Sequence, residues 1–301
     1  VGGDFVQRTG QHPDDALAYE RLGQVYRFTR RPEQAEEAFR KALEIDPSRP
    51  EPLSWLVGPR LAEKRYDEAL EIIGAYRNRV AEDRGAQGFV DWLQARVHLA
   101  RGEAGKAEAL LKSAIENDQG LVGVYPLLAA LYAEEGRLEE ARAQYEALLE
   151  QNPRALSAHM ALGAVAELES EWEQAEEHYR KALEIKENFA PAANNLAWRI
   201  LSSGGNVDEA LKFAQIAKEH APRSPEVMDT LGWVYYHKGR HPSAISEFED
   251  ALQAAPGQPM IHYHAGMAYL RNGQLERART HLEKALAIAP RFEGADEART
   301  A

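Results

Sequence analysis

What most restricts the fold of this chain is an alanine that returns at a nearly fixed interval: Ala35, Ala69, Ala107, Ala141, Ala175, Ala210, Ala244 and Ala278. Successive separations are 34, 38, 34, 34, 35, 34 and 34 residues. Around each alanine, small and large apolar residues recur at three- and four-residue spacing, which puts them on one helical face. A period of 34 residues points to stacked helix pairs, because a single pair leaves an apolar face exposed and only a neighbouring pair can cover it.

The two halves of each repeat are recognisable by eye. LGQVY from Leu22 leads through a turn to AEEAFRKALEIDP from Ala35. LAALY precedes EEARAQYEALLEQNP, LGAVA precedes QAEEHYRKALEI, LGWVYYHKG precedes SAISEFEDALQAAP, and AGMAYLRNG precedes RARTHLEKALAIAP. Gly23, Gly163, Gly232 and Gly266 permit close helix approach, and Pro47, Pro153, Pro222, Pro256 and Pro290 stop one repeat before the next.

These residues resemble the tetratricopeptide repeat family over residues 16–290. The first repeat carries the family's pattern at Tyr19, Leu22, Gly23, Tyr26, Ala35, Phe39, Ala42 and Pro47, and the seventh at Leu231, Gly232, Tyr235, Ala244, Phe248, Ala251 and Pro256. The resemblance implies an all-α, right-handed α-solenoid of about eight helix pairs, with the first helix of each pair on the concave side. The expected repeats lie near 16–49, 50–87, 88–121, 122–155, 156–189, 190–224, 225–258 and 259–290, between an N-terminal segment at 1–15 and a C-terminal tail at 291–301.

Four departures carry geometric expectations. Val57-Gly58-Pro59 falls where the first helix of the second repeat should run and predicts a distorted or late helix. Four extra residues before Ala107 predict longer helices or a longer connection near RNRVAEDRGAQ, with a hinge at residues 77–88, and so two shorter solenoids, as the sharper alternative. Gln119 replaces the proline that usually ends a repeat, and SSGGN lengthens the turn of the sixth repeat by one residue. The tail RFEGADEARTA is too short and polar to predict a capping helix, so an uncovered last repeat predicts self-association or partner docking at a chain end.

Composition narrows the function. Forty-eight acidic against 36 basic residues give a formal charge of -12, which disfavours nucleic acid as a partner. The absence of cysteine excludes disulfides, thiolate catalysis and cysteine-ligated metals. No apolar run approaches the roughly 20 residues needed to cross a bilayer.

SSGGN lacks the Lys-Ser or Lys-Thr of a phosphate loop. His262 and His264, two apart, point about 200° away from each other on a helix and predict no shared metal. The carboxylates Glu167, Glu169, Glu171, Glu173, Glu176 and Glu177 straddle a turn and a helix start, where a solvated acidic face is the simplest account. The expectation is a non-enzymatic chain without cofactor or metal.

The stretch NNLAWRILSSGGN raises the functional question, since amides and an indole occupy positions where a helix normally carries leucine. Aligning repeats six to eight puts Asn194, Asn195 and Trp198, then Asp229, Trp233 and Tyr236, then Tyr263 and Met267 on the inner face. Amides can hold a peptide main chain, and indoles can anchor it or simply pack between helices.

The predicted partner is an extended peptide or helix of another protein, with Asp229 favouring a donor or cation. The alternatives are a carbohydrate-binding scaffold stacking sugars on Trp198 and Trp233, and a hydrolase using a hidden carboxylate pair. The family's carboxylate-binding clamp is disfavoured, because Arg21, Arg27 and Arg96 are scattered over distant repeats. NNLAW followed by DTLGWVYYHKG resembles bacterial envelope and exopolysaccharide-export scaffolds, a likeness that sets a periplasmic or envelope location ahead of the cytoplasm.

Overall fold

In the computed structural model, which describes residues 2–301, all eight recurring alanines lie within helices and are buried. Val1, the first residue of the expected N-terminal segment, lies outside the described residues. Helix α1 (Gly2–Gln11) precedes the pairs α2 (Ala16–Phe28) with α3 (Pro32–Ile45), α4 (Glu51–Ala62) with α5 (Tyr66–Arg77), α6 (Arg84–Ala100) with α7 (Ala104–Asn117), and α8 (Val124–Glu134) with α9 (Leu138–Gln151). The series continues as α10 (Leu156–Leu168) with α11 (Trp172–Ile185), α12 (Ala190–Ser202) with α13 (Val207–His220), α14 (Pro225–His237) with α15 (His241–Ala254), α16 (Pro259–Arg271) with α17 (Leu275–Ile288), and then α18 (Ala295–Thr300). No strand occurs among the described residues, and the architecture is all-α, with antiparallel helix pairs stacked as in an α-solenoid.

The turn inside each pair needs one residue in the left-handed region. Glycine supplies it at Gly102, Gly136, Gly204, Gly239 and Gly273, with φ between 70° and 77°. In the other three pairs Arg30, Lys64 and Ser170 take φ of 58°, 59° and 61° at the same position. A residue with a Cβ is disfavoured there, so these three turns are held by the packing of the helices they join.

Within a pair, the helices approach through a hole and a knob sixteen residues apart. A Cβ added to Gly23, Gly163 or Gly232 would come within 2.5–2.6 Å of the ring of Phe39, Tyr179 or Phe248 respectively. Gly266 is filled in the same way by Leu282. All three rings are almost fully buried, so they have no free space into which to retreat.

The chain divides into two compact units, Val1–Pro153 and Arg154–Ala301. In the first unit, one apolar cluster runs from Ala35 through Leu53, Ile73, Val80 and Ala86 to Val97. The extra residues before Ala107 form a short 3-10 turn at Asn78–Val80 and the long helix α6. This connection is tied down: the Gln87 amide donates to the carbonyls of Arg77 and Val80, and Arg77 donates to Asp91 at 2.6 Å. Asp91 is buried, but its charge is satisfied because Ser113 and Asn117 also donate to it. The region near residue 80, considered above as a hinge, therefore lies inside one packed unit.

Helix α4 corrects the expectation of a late start. It begins at Glu51 and continues through Pro59, which removes one backbone donor, and ends at Ala62. There the Arg60 guanidinium also donates to the Leu56 carbonyl at 3.0 Å.

An ion-pair cluster binds α7 to the α8–α9 turn. Glu108 accepts from both Nη atoms of Arg137 at 3.1 Å and from Lys112 at 2.7 Å. The Arg137 hydrogen bonds, then that of Lys112, hold the Glu108 carboxyl at about 2, below its ordinary 4.5. A depressed folded-state value means that the stabilisation is complete above about pH 4.5 and is lost as pH falls toward 2. In this partly exposed setting it amounts to under about 1 kcal/mol at neutral pH. Thermal melts from pH 6 to 2 are expected to show a shallower acid decline for Glu108→Gln than for the parent chain, and identical declines would remove the cluster from the account.

In the second unit the core clusters around Tyr179, Leu196 and Leu231, around Phe248 and Tyr269, and around Tyr263, Met267 and Leu282. The last cluster is closed by the C-terminal segment, which forms helix α18 where the sequence predicted no clear cap. Ala298 is buried, Phe292 packs edge-on against Tyr263, and Tyr263 donates to Glu297 at 2.7 Å. Gly294, at φ 92°, makes the chain reversal possible, since a Cβ there would lie 2.6 Å from the Tyr263 ring.

Candidate functional site

Four helices of the second unit, α10, α12, α14 and α16, line a cleft of about 490 Å³. Each is the first helix of its pair, so corresponding positions recur one repeat apart. Asn194, Asp229 and Tyr263 correspond; so do Asn195, Thr230 and His264; and so do Trp198, Trp233 and Met267.

The eight residues expected on the inner face separate into three groups. Asn194, Asn195, Trp198 and Asp229 line the cleft, together with Glu167, Glu226, Thr230, Gln258 and His264. Trp233 and Tyr236 are half-buried in an aromatic stack instead. The Trp233 ring lies 4.1 Å from His264 and 4.5 Å from Tyr236, nearly parallel to both, and meets the edge of His237 at 5.0 Å. Tyr263 and Met267 are 5% and 3% exposed and form the seat of the C-terminal segment. For these two residues an open inner face is corrected to a covered one, because Phe292 and Ala298 join the same apolar cluster.

Within the cleft the amides are not equivalent. The Asn194 Oδ1 atom is buried and has no hydrogen-bond partner, an arrangement that costs free energy unless something binds there. Trp198 is half-buried, and its nearest ring neighbour is His264, tilted at 5.9 Å. His264 is almost wholly buried and shares a 2.8 Å hydrogen bond between its Nδ1 and Asp229 Oδ1, which fixes that carboxylate against α16. Burial raises the Glu167 carboxyl above its ordinary value, partly offset by Tyr179 and Arg199. Ser224 and the backbone lower that of Glu226.

Glu167 was grouped above with a solvated acidic face, and the structure moves it into the cleft wall. A signal for this was present: its position corresponds to Leu201, Tyr236 and Leu270 in the following repeats, so a carboxylate stands where the others carry large side chains. The histidines diverge as their spacing predicted. His262 Nδ1 meets His281 Nδ1 at 3.0 Å and its Nε2 donates to the Pro256 carbonyl, whereas His264 turns to Asp229. Among the described residues no group of three or more side chains is arranged to hold a metal ion, and no helix is long and apolar enough to cross a membrane.

Comparison with known proteins gives three kinds of match. A family model described as Protein kinase G tetratricopeptide repeat covers residues 45–223, and tetratricopeptide repeat models match residues 16–49, 195–259 and 230–291. Human protein O-mannosyl-transferase TMTC1 is 27% identical over 240 residues, which is 80% of this chain and 23% of that protein. Cellulose synthase operon protein C of Pseudomonas fluorescens is 28% identical over 146 residues, 47% of this chain and 11% of that protein. The solved structure of YrrB, described as a TPR protein with an unusual peptide-binding site, superposes with a TM-score of 0.52 at 25% identity, covering 64% of this chain and 98% of that one. The chain spans from about a tenth to about a third of the length of the curated relatives it matches.

Proposed function

The chain belongs to the tetratricopeptide repeat family, and from that premise we propose that it is a non-enzymatic scaffold that docks an extended peptide of a partner protein in the α10–α16 cleft. The observation that carries this reading is the buried, unpartnered Asn194 Oδ1 beside the half-buried Trp198. One supplies a main-chain or donor contact and the other an apolar surface, the two elements by which a groove fixes a peptide's register and gains affinity. The description of YrrB as a peptide-binding TPR protein supports the same class of ligand. Likeness to cellulose synthase operon protein C, over 11% of that protein, supports polysaccharide assembly as one setting for such a scaffold.

The two alternatives fare less well on geometry. A sugar platform calls for two open indoles, and Trp233 is stacked by its own neighbours, Tyr236 and His264. A hydrolase calls for a matched pair of desolvated acids, whereas burial raises only Glu167, with Asp229 held by His264 and Glu226 shifted downward. The test is to select a random dodecapeptide library on the full chain and map the enriched peptides with a benzophenone side chain at Gln258 in the cleft or at Glu177 on α11. Cross-links are expected at Gln258 and absent at Glu177. Enriched peptides that label Glu177 and not Gln258 would move the site out of the cleft.

A further inference from the structure

We propose that the cleft selects a cationic group on its peptide, a guanidinium ahead of an ammonium. The inference rests on the cleft being the peptide site, and deepens that reading by naming what the site recognises. The lining carries three carboxylates, Glu167, Glu226 and Asp229, and three side-chain amides, Asn194, Asn195 and Gln258, with no lysine or arginine. Of the nearby cations, Arg271 donates to the Tyr236 hydroxyl and Lys238 pairs with Asp208, while Arg199, whose guanidinium lies over the Trp172 ring at 4.4 Å, acts on Glu167 by charge without lining the cleft.

What the lining lacks is a cationic donor. Asn194 Oδ1 is a buried acceptor with nothing to accept, and the wall around it is rich in carboxylate oxygen. A planar group with five N–H donors fits such a wall better than a compact ammonium, because it can serve an amide oxygen and a carboxylate together. Trp198 adds a π face, on which a guanidinium is held by both stacking and charge. Burial raises the Glu167 carboxyl despite the opposing Tyr179 hydrogen bond and Arg199 charge, and a bound cation would lower it. A peptide carboxylate would instead face the like charges of Glu226 and Asp229.

Three peptides that differ in one central residue decide the matter: acetyl-Gly-Ala-X-Ala-Gly-amide with X as arginine, as its neutral isostere citrulline, or as glutamate. Each is titrated into the full chain while the indole N–H resonance of Trp198 is followed, that signal being the one missing from the Trp198→Phe spectrum. The arginine peptide is expected to bind at least about 10-fold more tightly than the citrulline peptide, with the advantage shrinking as salt rises. In the double variant Glu226→Gln, Asp229→Asn, checked for an unchanged helical spectrum, that advantage is expected to fall to near parity.

Equal binding of arginine and citrulline at Trp198, or tighter binding of glutamate, would overturn the cation inference and leave the peptide cleft standing. If none of the three peptides perturbs Trp198, both the inference and the reading beneath it fall.

Discussion

Truncation of Phe248 to alanine is expected to cost about 3–5 kcal/mol, the usual range for emptying a filled aromatic site. The ring is fully buried, faces Gly232 within its own pair, and shares a cluster with Ile261, Ala265 and Tyr269 of the next pair. Its loss therefore weakens both the pair and the stack. A stack of repeats need not unfold in one step, so the loss is best read locally. Amide exchange in α14–α17 should accelerate far more than exchange in α2–α7. Uniform acceleration, or a change below about 1 kcal/mol, would show that Phe248 does not hold this region together.

The hole opposite that ring gives a companion test with a reversed sign. Glycine to alanine inside a helix ordinarily stabilises by about 0.5–1 kcal/mol. That gain is expected at Gly74 in α5, where a Cβ meets nothing within 4 Å, and a loss is expected at Gly232, where it meets Phe248.

The second large effect separates two tryptophans that look alike in sequence. Trp198→Ala is expected to weaken the selected peptides by about 2 kcal/mol or more, roughly 30-fold, with little loss of stability. Trp233→Ala is expected to cost about 2–3 kcal/mol of stability, because it empties a stack between Tyr236 and His264. Calorimetric binding and urea unfolding on both variants measure the contrast. If Trp198→Ala retains full affinity while folded, the anchor lies elsewhere; if Trp233→Ala is as stable as the parent, the stack is decorative.

Most of the fold was legible because the repeat imposes one periodicity many times over, so that Ala35 and Ala278 give the same instruction. Legibility ended where a residue acts outside that period. Val57-Gly58-Pro59 predicts a late or distorted helix, yet the helix starts at Glu51 and runs through Pro59 to Ala62. The tail at 291–301 was read as too polar to cap, yet Phe292, Ala298 and a left-handed Gly294 suffice to close over Tyr263. In the candidate site, the inner-face alignment found Asn194, Asn195, Trp198 and Asp229, because corresponding positions share a face. It did not find the covering of Tyr263 and Met267, which depends on a segment beyond the last repeat. Nor did it find Glu167, whose place in the wall is set by the neighbouring pair rather than by its own charged surroundings.

The hole and knob described for Gly23, Gly163 and Gly232 have counterparts at the same positions of the other repeats. The position sixteen residues before the knob carries Val57 before Ile73, Ala95 before Leu111 and Ala129 before Tyr145, and in the sixth repeat, whose turn is one residue longer, Ala197 stands seventeen residues before Ala214. Three of the four glycine holes are filled by a ring and the fourth by Leu282, so bulk given up by one helix is taken up by its mate. The gap between mates is thus settled inside each repeat, by two residues that travel together on one short length of gene. Such a segment can be copied, deleted or spliced into a sister array with its own fit already negotiated, leaving the inner-face residues free to diverge toward new ligands.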